Sequence, residues 1–232
     1  SAYGPWVQPV AVTAASIYNG QDLDLIVGDR VARSISLLAN DGRGRYDGSR
    51  EDIFIGHQLA DLLAADLDAD GDVDIAVANG PNTDTITLLY NDGQGGMSAR
   101  ANLAVQTGPV AIASGHFNTD GHVDLVVANR FSNSVTVLIN DRQGSFVVGG
   151  HYAVGVSPLD VLAVDIDADG DLDIVTASTG SRSVAILQND GAGSFEAATA
   201  PQSTNLRPVA IAAAGMTADV LNDIVAGGRG DF

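Results

Sequence analysis

Short apolar runs recur along the chain at a nearly constant spacing, and polar residues typical of turns separate them. The clearest marker is an aspartate followed by an apolar run, such as Asp74 before residues 75–77 and Asp124 before residues 125–127. Successive markers lie 50, 50, 49 and 50 residues apart, at Asp24, Asp74, Asp124, Asp173 and Asp223. The chain is therefore predicted to consist of five copies of one small unit.

Each unit contains up to four apolar runs, which we label strands A to D. Strand A begins about fifteen residues before the marker aspartate, strand B follows it, strand C ends in an Asn-Asp turn, and strand D comes last. Strand A begins at Pro9, Leu59, Pro109, Pro158 and Pro208, and strand D opens at Tyr46, Met97, Phe146 and Phe195. The runs are too short for helices. Four strands per repeat of this length indicate an all-β fold, a β-propeller of four-stranded blades. The alternative, a β-sandwich, does not explain the fixed period.

The repeats are expected to form one domain over residues 1–232. Their approximate bounds are 9–57, 58–107, 108–156, 157–206 and 207–232, and the last repeat contains strands A and B alone. Because exposed strand edges promote association, a propeller needs another segment to complete such a blade. Residues 3–8 could supply one strand. We therefore expect either a five-bladed ring with a thin last blade or part of a larger ring.

Strands A and B of the second and fourth repeats are joined by loops with the pattern D-x-D-x-D-G-x-x-D. Carboxylates at positions 1, 3 and 5 can surround one cation, glycine at position 6 permits a sharp turn, position 7 offers its carbonyl, and position 9 closes the shell. All these ligands are oxygens, as Ca²⁺ prefers, and without a cation the carboxylates would repel one another. A merely acidic, solvated turn is the alternative. The predicted Ca²⁺ ligands are Asp66, Asp68, Asp70, Asp72 and Asp74 in the second repeat, and Asp165, Asp167, Asp169, Asp171 and Asp173 in the fourth.

An EF-hand loop has a similar ligand pattern, and two observations argue against it. The flanking segments are β-branched strands, and Val77 and Thr176 stand where an EF-hand has glutamate at position 12.

The other three repeats keep only part of the metal pattern. In the third, Asn118, Asp120 and Asp124 are further candidate ligands, but His116 at position 1 is a poor ligand for a hard cation. The remnants in the first and fifth repeats are Asn19, Asp22, Asp24, Asp219 and Asp223. We expect Ca²⁺ in the second and fourth repeats and none in the first and fifth, and the third stays open.

Three motifs together resemble those of the FG-GAP and VCBS-type repeat families. They are P-x-A-[IV]-A in strand A, D-x-D-x-D-G-x-x-D before strand B, and N-D-G-x-G-x-F after strand C. The resemblance covers nearly the whole chain and implies a calcium-binding propeller, as in integrin α-subunit heads, fungal propeller lectins and secreted bacterial repeat proteins. The integrin Phe-Gly and Gly-Ala-Pro signature is not visible, so the chain is more similar to the bacterial and lectin-like members. The resemblance implies an extracellular or cell-surface location.

The composition argues against several classes of function. The net charge is −18, with 27 Asp and two Glu against 11 Arg and no Lys. Such an acidic chain does not suit nucleic acid or anionic membranes, which bind basic patches. No apolar run is long enough to insert across a membrane. Without cysteine, the chain has neither disulfides nor a thiolate nucleophile.

Binding or adhesion, rather than catalysis, is the favoured function, with a glycan or a protein as ligand. The chain lacks G-x-S-x-G, H-E-x-x-H and P-loop motifs, and its histidines share no repeat position. Two alternatives stay open. One is a structural unit of a larger surface protein or fibre, and the other is a secreted polysaccharide-degrading enzyme on a propeller scaffold.

Arginines concentrate in the loops that are expected to lie opposite the metal loops. In a blade of strands A to D, the A–B and C–D turns lie on one face, and the B–C and D–A connections lie on the other. Arginine binds carboxylate and sulfate through paired hydrogen bonds, so the second face could bind an acidic or polar ligand. The alternative is that these arginines offset carboxylates such as Asp29 and Asp84. The candidate ligand-binding residues are Arg30, Arg33, Arg130, Arg182 and Arg207.

Overall fold

The computed structural model describes residues 8–18, 22–46, 50–142, 144–197, 201–214 and 222–230. All regular structure in this part of the chain is β-strand, and it contains no helix with the length and hydropathy needed to cross a membrane. The strands are β1 (Pro9–Ala15), β2 (Asp24–Asp29), β3 (Ser34–Leu38), β4 (Arg50–Phe54), β5 (Asp61–Ala65), β6 (Asp74–Ala78), β7 (Thr85–Asn91), β8 (Met97–Ala104), β9 (Pro109–Gly115), β10 (Asp124–Asn129), β11 (Ser134–Asn140), β12 (Phe146–Ala153), β13 (Pro158–Val164), β14 (Asp173–Ser178), β15 (Ser183–Asn189), β16 (Phe195–Ala197), β17 (Gln202–Ser203), β18 (Arg207–Ala214) and β19 (Asp223–Arg229).

These strands form five antiparallel sheets, which we name blades 1 to 5. Blades 1 to 3 contain β1–β4, β5–β8 and β9–β12, and strands adjacent in sequence are adjacent in the sheet. Blade 4 contains β13–β16, with β17 also paired to β15, and blade 5 contains β18 and β19. The predicted all-β propeller of four-stranded blades is confirmed.

Strand D begins at the predicted residue in three of the four repeats. Met97, Phe146 and Phe195 open β8, β12 and β16. In the first repeat β4 begins at Arg50, and Tyr46 lies before it. The Tyr46 hydroxyl donates a hydrogen bond of 3.0 Å to the carbonyl of Leu23, which keeps this residue at the turn. Of residues 3–8, the candidate closing strand, only Gln8 is described, and its N–H donates to Asp29 Oδ2 of blade 1 at 3.0 Å. Residues 3–7 lie outside the described residues.

The apolar core lies between successive blades. The first strands of the blades pack side by side, because β5 contacts β1 and β9, and β13 contacts β9 and β18. Three buried clusters join blades 1 and 2, 2 and 3, and 3 and 4. In the last of these, Val126 and Val137 pack with Ile174 and Leu187. Burial of one such side chain contributes about 1.5–3 kcal/mol, so the stacking of blades is a main source of stability.

Small residues on strand B face β-branched residues on strand C. In blade 1, Gly28 pairs with Ile35, and a Cβ on Gly28 would lie 2.6 Å from the Leu59 side chain of blade 2. A larger residue here would therefore push blades 1 and 2 apart. The equivalent pairs are Ala78–Ile86, Ala128–Val135 and Ala177–Val184.

The aspartate that begins each strand B joins two loops at one end of its blade. In blade 3, Asp124 is fully buried. Its Oδ2 accepts the N–H of Phe117 in the A–B loop at 3.0 Å, and its Oδ1 accepts the N–H of Asn140 in the C–D turn at 2.8 Å. The same pair of bonds is made in the other four-stranded blades by Asp24, Asp74 and Asp173. We call this contact the aspartate brace.

An asparagine in the C–D turn joins neighbouring blades on the same face. The Nδ2 of Asn140 in blade 3 donates to the carbonyl of Leu67 in blade 2 at 2.8 Å, and to the carbonyl of Val123 in its own blade at 3.1 Å. The equivalent inter-blade bonds run from Asn91 to Ile17 and from Asn189 to Phe117. The A–B loops and C–D turns therefore lie together on one face.

The first strands of blades 2 and 4 carry an aspartate where the other blades have alanine. Asp61 Oδ2 accepts the N–H of Ile112 in blade 3 at 3.1 Å, and Asp160 Oδ2 accepts that of Ile211 in blade 5 at 2.8 Å. Burial raises the pKa of Asp61 to about 6. Hydrogen bonds from the N–H groups of Ile112 and Leu62 oppose this rise, and the charge of Asp160 adds to it. Burial also raises the pKa of Asp160.

Replacing Asp124 tests the aspartate brace in a blade whose loop has an incomplete metal pattern. Asp124→Ala leaves two buried N–H groups without acceptors, so the free energy of unfolding should fall by about 2–5 kcal/mol. Asp124→Asn keeps one acceptor and should lose about half as much. Urea unfolding followed by circular dichroism measures both changes. A loss below ~0.5 kcal/mol for the alanine variant, as for an ordinary surface substitution, would contradict this role.

Asp61→Asn should remove the free-energy cost of ionising a buried carboxyl group, a cost that appears as the pH rises. The folded-state pKa of Asp61 is about 6 against an ordinary value of 3.8, so the folded protein binds more protons than the unfolded chain between these values. The protonated Asp61 carboxyl therefore contributes fully to the free energy of unfolding below pH ~4, and this contribution is lost as the pH rises through ~6. The variant should match the wild type near pH ~4 and exceed its free energy of unfolding by about 1–3 kcal/mol at pH ~7. Unfolding curves across this range measure the difference, and a difference that is constant with pH would exclude Asp61 as its source.

Candidate functional site

The two complete acidic loops adopt the same backbone turn between strands A and B. In the second-repeat loop, Ala69 has φ 61° and Gly71 has φ 96°, both in the left-handed region. Glycine at position 6 adopts this conformation without strain, as the sharp turn requires. The N–H of Gly71 donates to Asp66 Oδ2 at 3.1 Å. The fourth-repeat loop repeats this geometry with Ala168, Gly170 and Asp165.

Three carboxylates converge in each loop. Within each group the ligand oxygens lie within 4.8 Å of one another, and the groups are Asp66, Asp68 and Asp74, and Asp165, Asp167 and Asp169. Oδ1 of Asp66 and Oδ1 of Asp165 are buried and have no hydrogen-bond partner among the described residues. A buried carboxylate oxygen without a donor is costly unless a cation contacts it. Because every candidate ligand is oxygen, these residues fit a hard divalent cation.

The remaining carboxylates of the pattern make other contacts. Asp70 Oδ1 accepts the N–H of Asp72 at 2.9 Å. The Asp72 side chain lies against the C–D turn, where a Cβ on Gly93 would be 2.5 Å from its Oδ2. Asp171 and Gly191 repeat this contact in the fourth repeat. Asp173 forms the aspartate brace of blade 4. The structure thus brings together three of the four carboxylates predicted as ligands in each loop, and Asp72 and Asp171 were predicted to contribute their carbonyls.

Burial and neighbouring charge both raise the pKa of the carboxylate at position 9 of each loop. Burial raises the pKa of Asp74 to about 6. Two backbone N–H bonds oppose this rise, and the charges of Asp68 and Asp70 add to it. Burial also raises the pKa of Asp173, again with the charges of two loop carboxylates adding to the effect. A bound cation would reverse this contribution by replacing repulsion with attraction.

The neighbouring blade covers the second-repeat loop. A Cβ on Gly144, in the C–D turn of blade 3, would lie 2.5 Å from the Cβ of Asp68. The Tyr90 hydroxyl donates a hydrogen bond to the Gly144 carbonyl and so holds this turn against the loop. Blade 5 has no C–D turn among the described residues, and Asp167 of the fourth-repeat loop is exposed, whereas its equivalent Asp68 is half-buried. The two loops therefore differ in how much solvent surrounds them.

The third-repeat loop is closed by contacts within the protein. His116 Nδ1 lies 2.9 Å from the carbonyl oxygen of His122, the position 7 carbonyl of the metal pattern. Asp120 Oδ1 accepts the N–H of His122 at 2.9 Å, and its Oδ2 lies 3.5 Å from Arg142 Nε. Burial alone would raise the pKa of Asp120, but these two contacts and the Asn118 side chain hold it below its ordinary value. Arg142 therefore supplies positive charge to this loop.

The first and fifth repeats contain fewer candidate metal ligands. Asp22 lies against Gly42 of the first C–D turn, in the manner of Asp72, and Asp24 forms an aspartate brace. Residues 19–21 and residue 219, which carry the other remnants of the metal pattern, lie outside the described residues.

On the opposite face, a cavity of about 180 Å³ lies between blades 1 and 2. It is lined by the B–C turns of both blades and the D–A connection between them, through Arg33, Gly56, His57, Gln58, Asn79, Asn82 and Thr83. The Arg33 guanidinium and the His57 imidazole have no hydrogen-bond or ion-pair partner in the described part of the chain. Gln58 Oε1 accepts a weak hydrogen bond of 3.4 Å from the Asn82 amide. Two cationic or donor groups are thus available to a ligand.

The other candidate arginines lie elsewhere on this face. Arg30 Nε donates to the carbonyl of Leu59 in blade 2 at 3.1 Å. Arg130 Nε donates to Ser157 Oγ at 3.1 Å, and its guanidinium lies 5.7 Å from the centre of the neighbouring Phe131 ring. These two arginines help to join successive blades. Arg182 and Arg207 are exposed.

Sequence reasoning missed the residues around Arg33 and the role of Arg142. The cavity combines residues before β5 with residues after β6, so no single repeat contains the site. One signal was present, because the second B–C connection covers residues 79–84, whereas the third covers only residues 130–133. Arg142 replaces the glycine of the Asn-Asp-Gly turn, but the sequence does not show that its side chain reaches the third-repeat loop.

A family model described as FG-GAP-like repeat matches residues 66–127, 116–176 and 165–226, which together cover more than half of the chain. The chain belongs to the FG-GAP-like repeat family. Each match begins at position 1 of an A–B loop and ends in the next strand B, so the acidic loop is part of the family's unit. A search among curated protein sequences found no match to this FG-GAP-like chain.

Solved structures share the fold at low sequence identity. BBS1N in complex with ARL6DN is 12% identical with a TM-score of 0.67, over 97% of this chain and 66% of that chain. Virginiamycin B lyase from Staphylococcus aureus is 12% identical with a TM-score of 0.59, over 89% and 60%. A lectin from Agrocybe aegerita that recognises non-reducing terminal N-acetylglucosamine is 19% identical with a TM-score of 0.54, over 79% and 50%. This FG-GAP-like chain thus spans about half to two thirds of their length, and the likeness shows the fold alone.

Proposed function

We propose that this FG-GAP-like chain is a calcium-binding module that recognises a glycan or a protein ligand outside the cell. The observation that carries the proposal is the pair of acidic loops, in each of which a buried carboxylate oxygen lacks a donor among the described residues. Both loops occupy the same place in their repeats, on a stack of blades that also presents loops on the opposite face. A rigid scaffold with recognition residues in its loops is a common design for binding proteins.

Calcium suits these loops better than magnesium does. Mg²⁺ demands near-ideal octahedral geometry and keeps several of its waters, whereas Ca²⁺ accepts six to eight oxygens in a flexible arrangement. The loops offer convergent carboxylates on a sharp turn. Extracellular calcium modules bind with dissociation constants of roughly 0.1–1 mM, so sites of that class would be filled where calcium is abundant.

The cavity between blades 1 and 2 suits a small polar ligand. Its volume of about 180 Å³ is smaller than the ~300–1,000 Å³ of pockets for drug-sized molecules, so it would hold one sugar ring or one acidic group. Arg33 offers donors and His57 a ring nitrogen, while the amides of Gln58 and Asn82 and the Thr83 hydroxyl add both donors and acceptors. Sugar hydroxyls need both kinds of partner.

The similar structures support these two ligand classes. The Agrocybe aegerita lectin recognises terminal N-acetylglucosamine, which favours a glycan, and the BBS1N structure is a complex with ARL6DN, which makes a protein the second candidate. A lyase also shares the fold, but a fold supports many functions, so this likeness alone does not favour an enzyme.

Calcium should bind at two sites and stabilise the folded chain. A site filled at one hundred times its dissociation constant adds about 2.7 kcal/mol to the free energy of unfolding, so EDTA should lower the Tm. Asp66→Asn and Asp165→Asn should each abolish one site, because each removes a charged ligand whose buried oxygen has no other described partner. Titration calorimetry gives the number of sites.

His116→Asp combined with Arg142→Gly should add a third calcium site, in the third-repeat loop. The double variant restores a carboxylate at position 1 and removes the guanidinium beside Asp120.

Asp190→Asn is the matched control for these variants. Asp190 lies in a C–D turn on the same face but outside the acidic loops, so its replacement should leave the number of calcium sites unchanged. A Tm that does not respond to EDTA would contradict the calcium proposal.

Ligand binding should depend on the cavity between blades 1 and 2. A glycan array that includes terminal N-acetylglucosamine and uronic acids identifies the bound sugar, and titration calorimetry then measures its affinity. Arg33→Ala should weaken binding by about tenfold or more, because a hydrogen bond to a charged group contributes about 1.5–3 kcal/mol. His57→Ala should weaken it about threefold to tenfold, because an ordinary hydrogen bond contributes about 0.5–1.5 kcal/mol.

Arg45→Ala is the control for the loss of an arginine. Arg45 is exposed in the first C–D turn, on the face of the metal loops, so this variant should bind like the wild type. Binding that is lost in Arg45→Ala and kept in Arg33→Ala would place the ligand on the metal-loop face. An array without any bound glycan would favour the protein ligand.

A further inference from the structure

In blades 2 and 3, a side-chain oxygen before strand C closes the D–A connection that follows the blade. In blade 3 this residue is Asn133, whose Oδ1 accepts the N–H of Ser157 at 2.8 Å. In blade 2 it is Asp84, whose carboxylate accepts the N–H of Gly108 at 3.2 Å and the Thr107 hydroxyl at 3.3 Å. An acceptor at this position therefore satisfies a backbone N–H between one blade and the next.

Blade 1 carries Arg33 at the equivalent position. The backbone carbonyl identifies it, because Arg33 accepts the N–H of Ile55 at 2.8 Å just as Asn133 accepts that of Val154 at 3.0 Å. The N–H that needs an acceptor is then that of Gln58, three residues after Ile55. An arginine side chain has donors and no acceptor. The N–H of Gln58 accordingly has no hydrogen-bond partner among the described residues.

The backbone conformation at this position also favours a residue other than arginine. Arg33 and Asn133 both have φ 56°, in the left-handed region. Asparagine adopts this region several-fold more readily than most residues, because its short polar side chain can bond locally. An arginine here adds backbone strain and leaves an N–H without an acceptor. The stability of the turn therefore does not explain Arg33, and strained residues of this kind cluster at ligand sites.

The donors without described partners lie around the cavity between blades 1 and 2. Arg33, His57 and Gln58 all line it. The buried amide of Asn79, which also lines it, is already used, because it donates within blade 2 at 3.0 and 2.8 Å. The cavity therefore offers a guanidinium, a backbone N–H and an imidazole. The group that they lack is the one that Asp84 supplies in blade 2, a carboxylate.

Building on the glycan-binding function proposed above, we propose that this cavity binds the carboxylate of a hexuronate residue, in the manner of the Asp84 carboxylate in blade 2. The ligand carboxylate accepts the N–H of Gln58 and paired hydrogen bonds from Arg33. The sugar hydroxyls then meet the side-chain amides of Gln58 and Asn82, which both donate and accept. The methylene groups of a protein glutamate would leave those amides without partners, so an acidic sugar fits better than an acidic side chain.

Two glycosides that differ in one group test the need for a carboxylate. Methyl β-D-glucuronide carries a carboxylate where methyl β-D-glucoside carries a hydroxymethyl group. In titrations followed by proton–nitrogen correlation NMR, the glucuronide should bind about tenfold tighter or more, because a charged hydrogen bond is lost with the glucoside. The amide proton of Gln58 should move downfield as the glucuronide binds.

The other outcomes of this titration overturn the inference in different ways. Equal affinity for both glycosides would exclude a carboxylate site and would leave the proposed glycan binding intact. Binding of neither glycoside at this cavity would exclude the site altogether. Binding of N-acetylglutamate amide in preference to the glucuronide would assign the site to an acidic side chain of a protein ligand.

Arg33→Asp builds the arrangement of blade 2 into blade 1. The new carboxylate should accept the N–H of Gln58, as Asp84 accepts that of Gly108. Without any sugar, the variant should therefore have a higher Tm and a Gln58 amide signal shifted downfield, and it should no longer bind the glucuronide. Arg33→Asn should give the same results with a smaller shift, because a neutral amide oxygen is a weaker acceptor than a carboxylate.

Arg43→Asp is the matched control for the change of charge. Arg43 is exposed in the first C–D turn, on the face of the metal loops, so this variant should bind the glucuronide like the wild type. Loss of binding in Arg43→Asp would show that net charge, rather than the cavity, controls the affinity. That result, or an unchanged Gln58 signal in both Arg33 variants, would overturn the inference.

Discussion

In each four-stranded blade, a buried carboxylate lies between the A–B loop and the C–D turn and accepts one backbone N–H from each. A carboxylate away from water is costly unless its oxygens are bonded, so both loops are held where their N–H groups can reach it. The contact is as short in blades 1 and 3, where the metal pattern is incomplete, as in blades 2 and 4. The aspartate brace therefore does not depend on a complete metal pattern.

Asparagines extend the constraint from one blade to the next. The residue whose N–H meets the brace, such as Asn140, uses its side-chain amide to bond the A–B loop of the preceding blade. Brace and asparagine together form a continuous set of hydrogen bonds along the stack. Since that set fixes the angle between blades on one face, it also positions the loops of the opposite face, including the two that line the cavity beside Arg33.

The sequence predicted the period, the strands and the position of the acidic loops, because these depend on spacing and on the alternation of apolar residues. It did not predict which carboxylates converge. In the second repeat Asp74 converges with Asp66 and Asp68 and Asp70 does not, whereas in the fourth repeat it is Asp169, not Asp173, that joins Asp165 and Asp167. Side-chain direction in a turn depends on φ values and on neighbouring blades, which a local pattern does not contain. For the same reason, the sequence did not show that Arg142 reaches the third-repeat loop or that the cavity residues come together.

The two complete loops show how much of a metal site lies outside its motif. Their residues at positions 1, 3, 5, 6, 7 and 9 are identical, and their backbone turns agree within a few degrees. Any difference in affinity must therefore come from their surroundings. In the second repeat, the turn held by Tyr90 lies against Asp68, which is half-buried, whereas the equivalent Asp167 of the fourth repeat is exposed. Lower exposure strengthens the attraction between a carboxylate and a cation, but it also strengthens the repulsion when the cation is absent. The second loop should consequently gain more from calcium than the fourth, although the motif is the same.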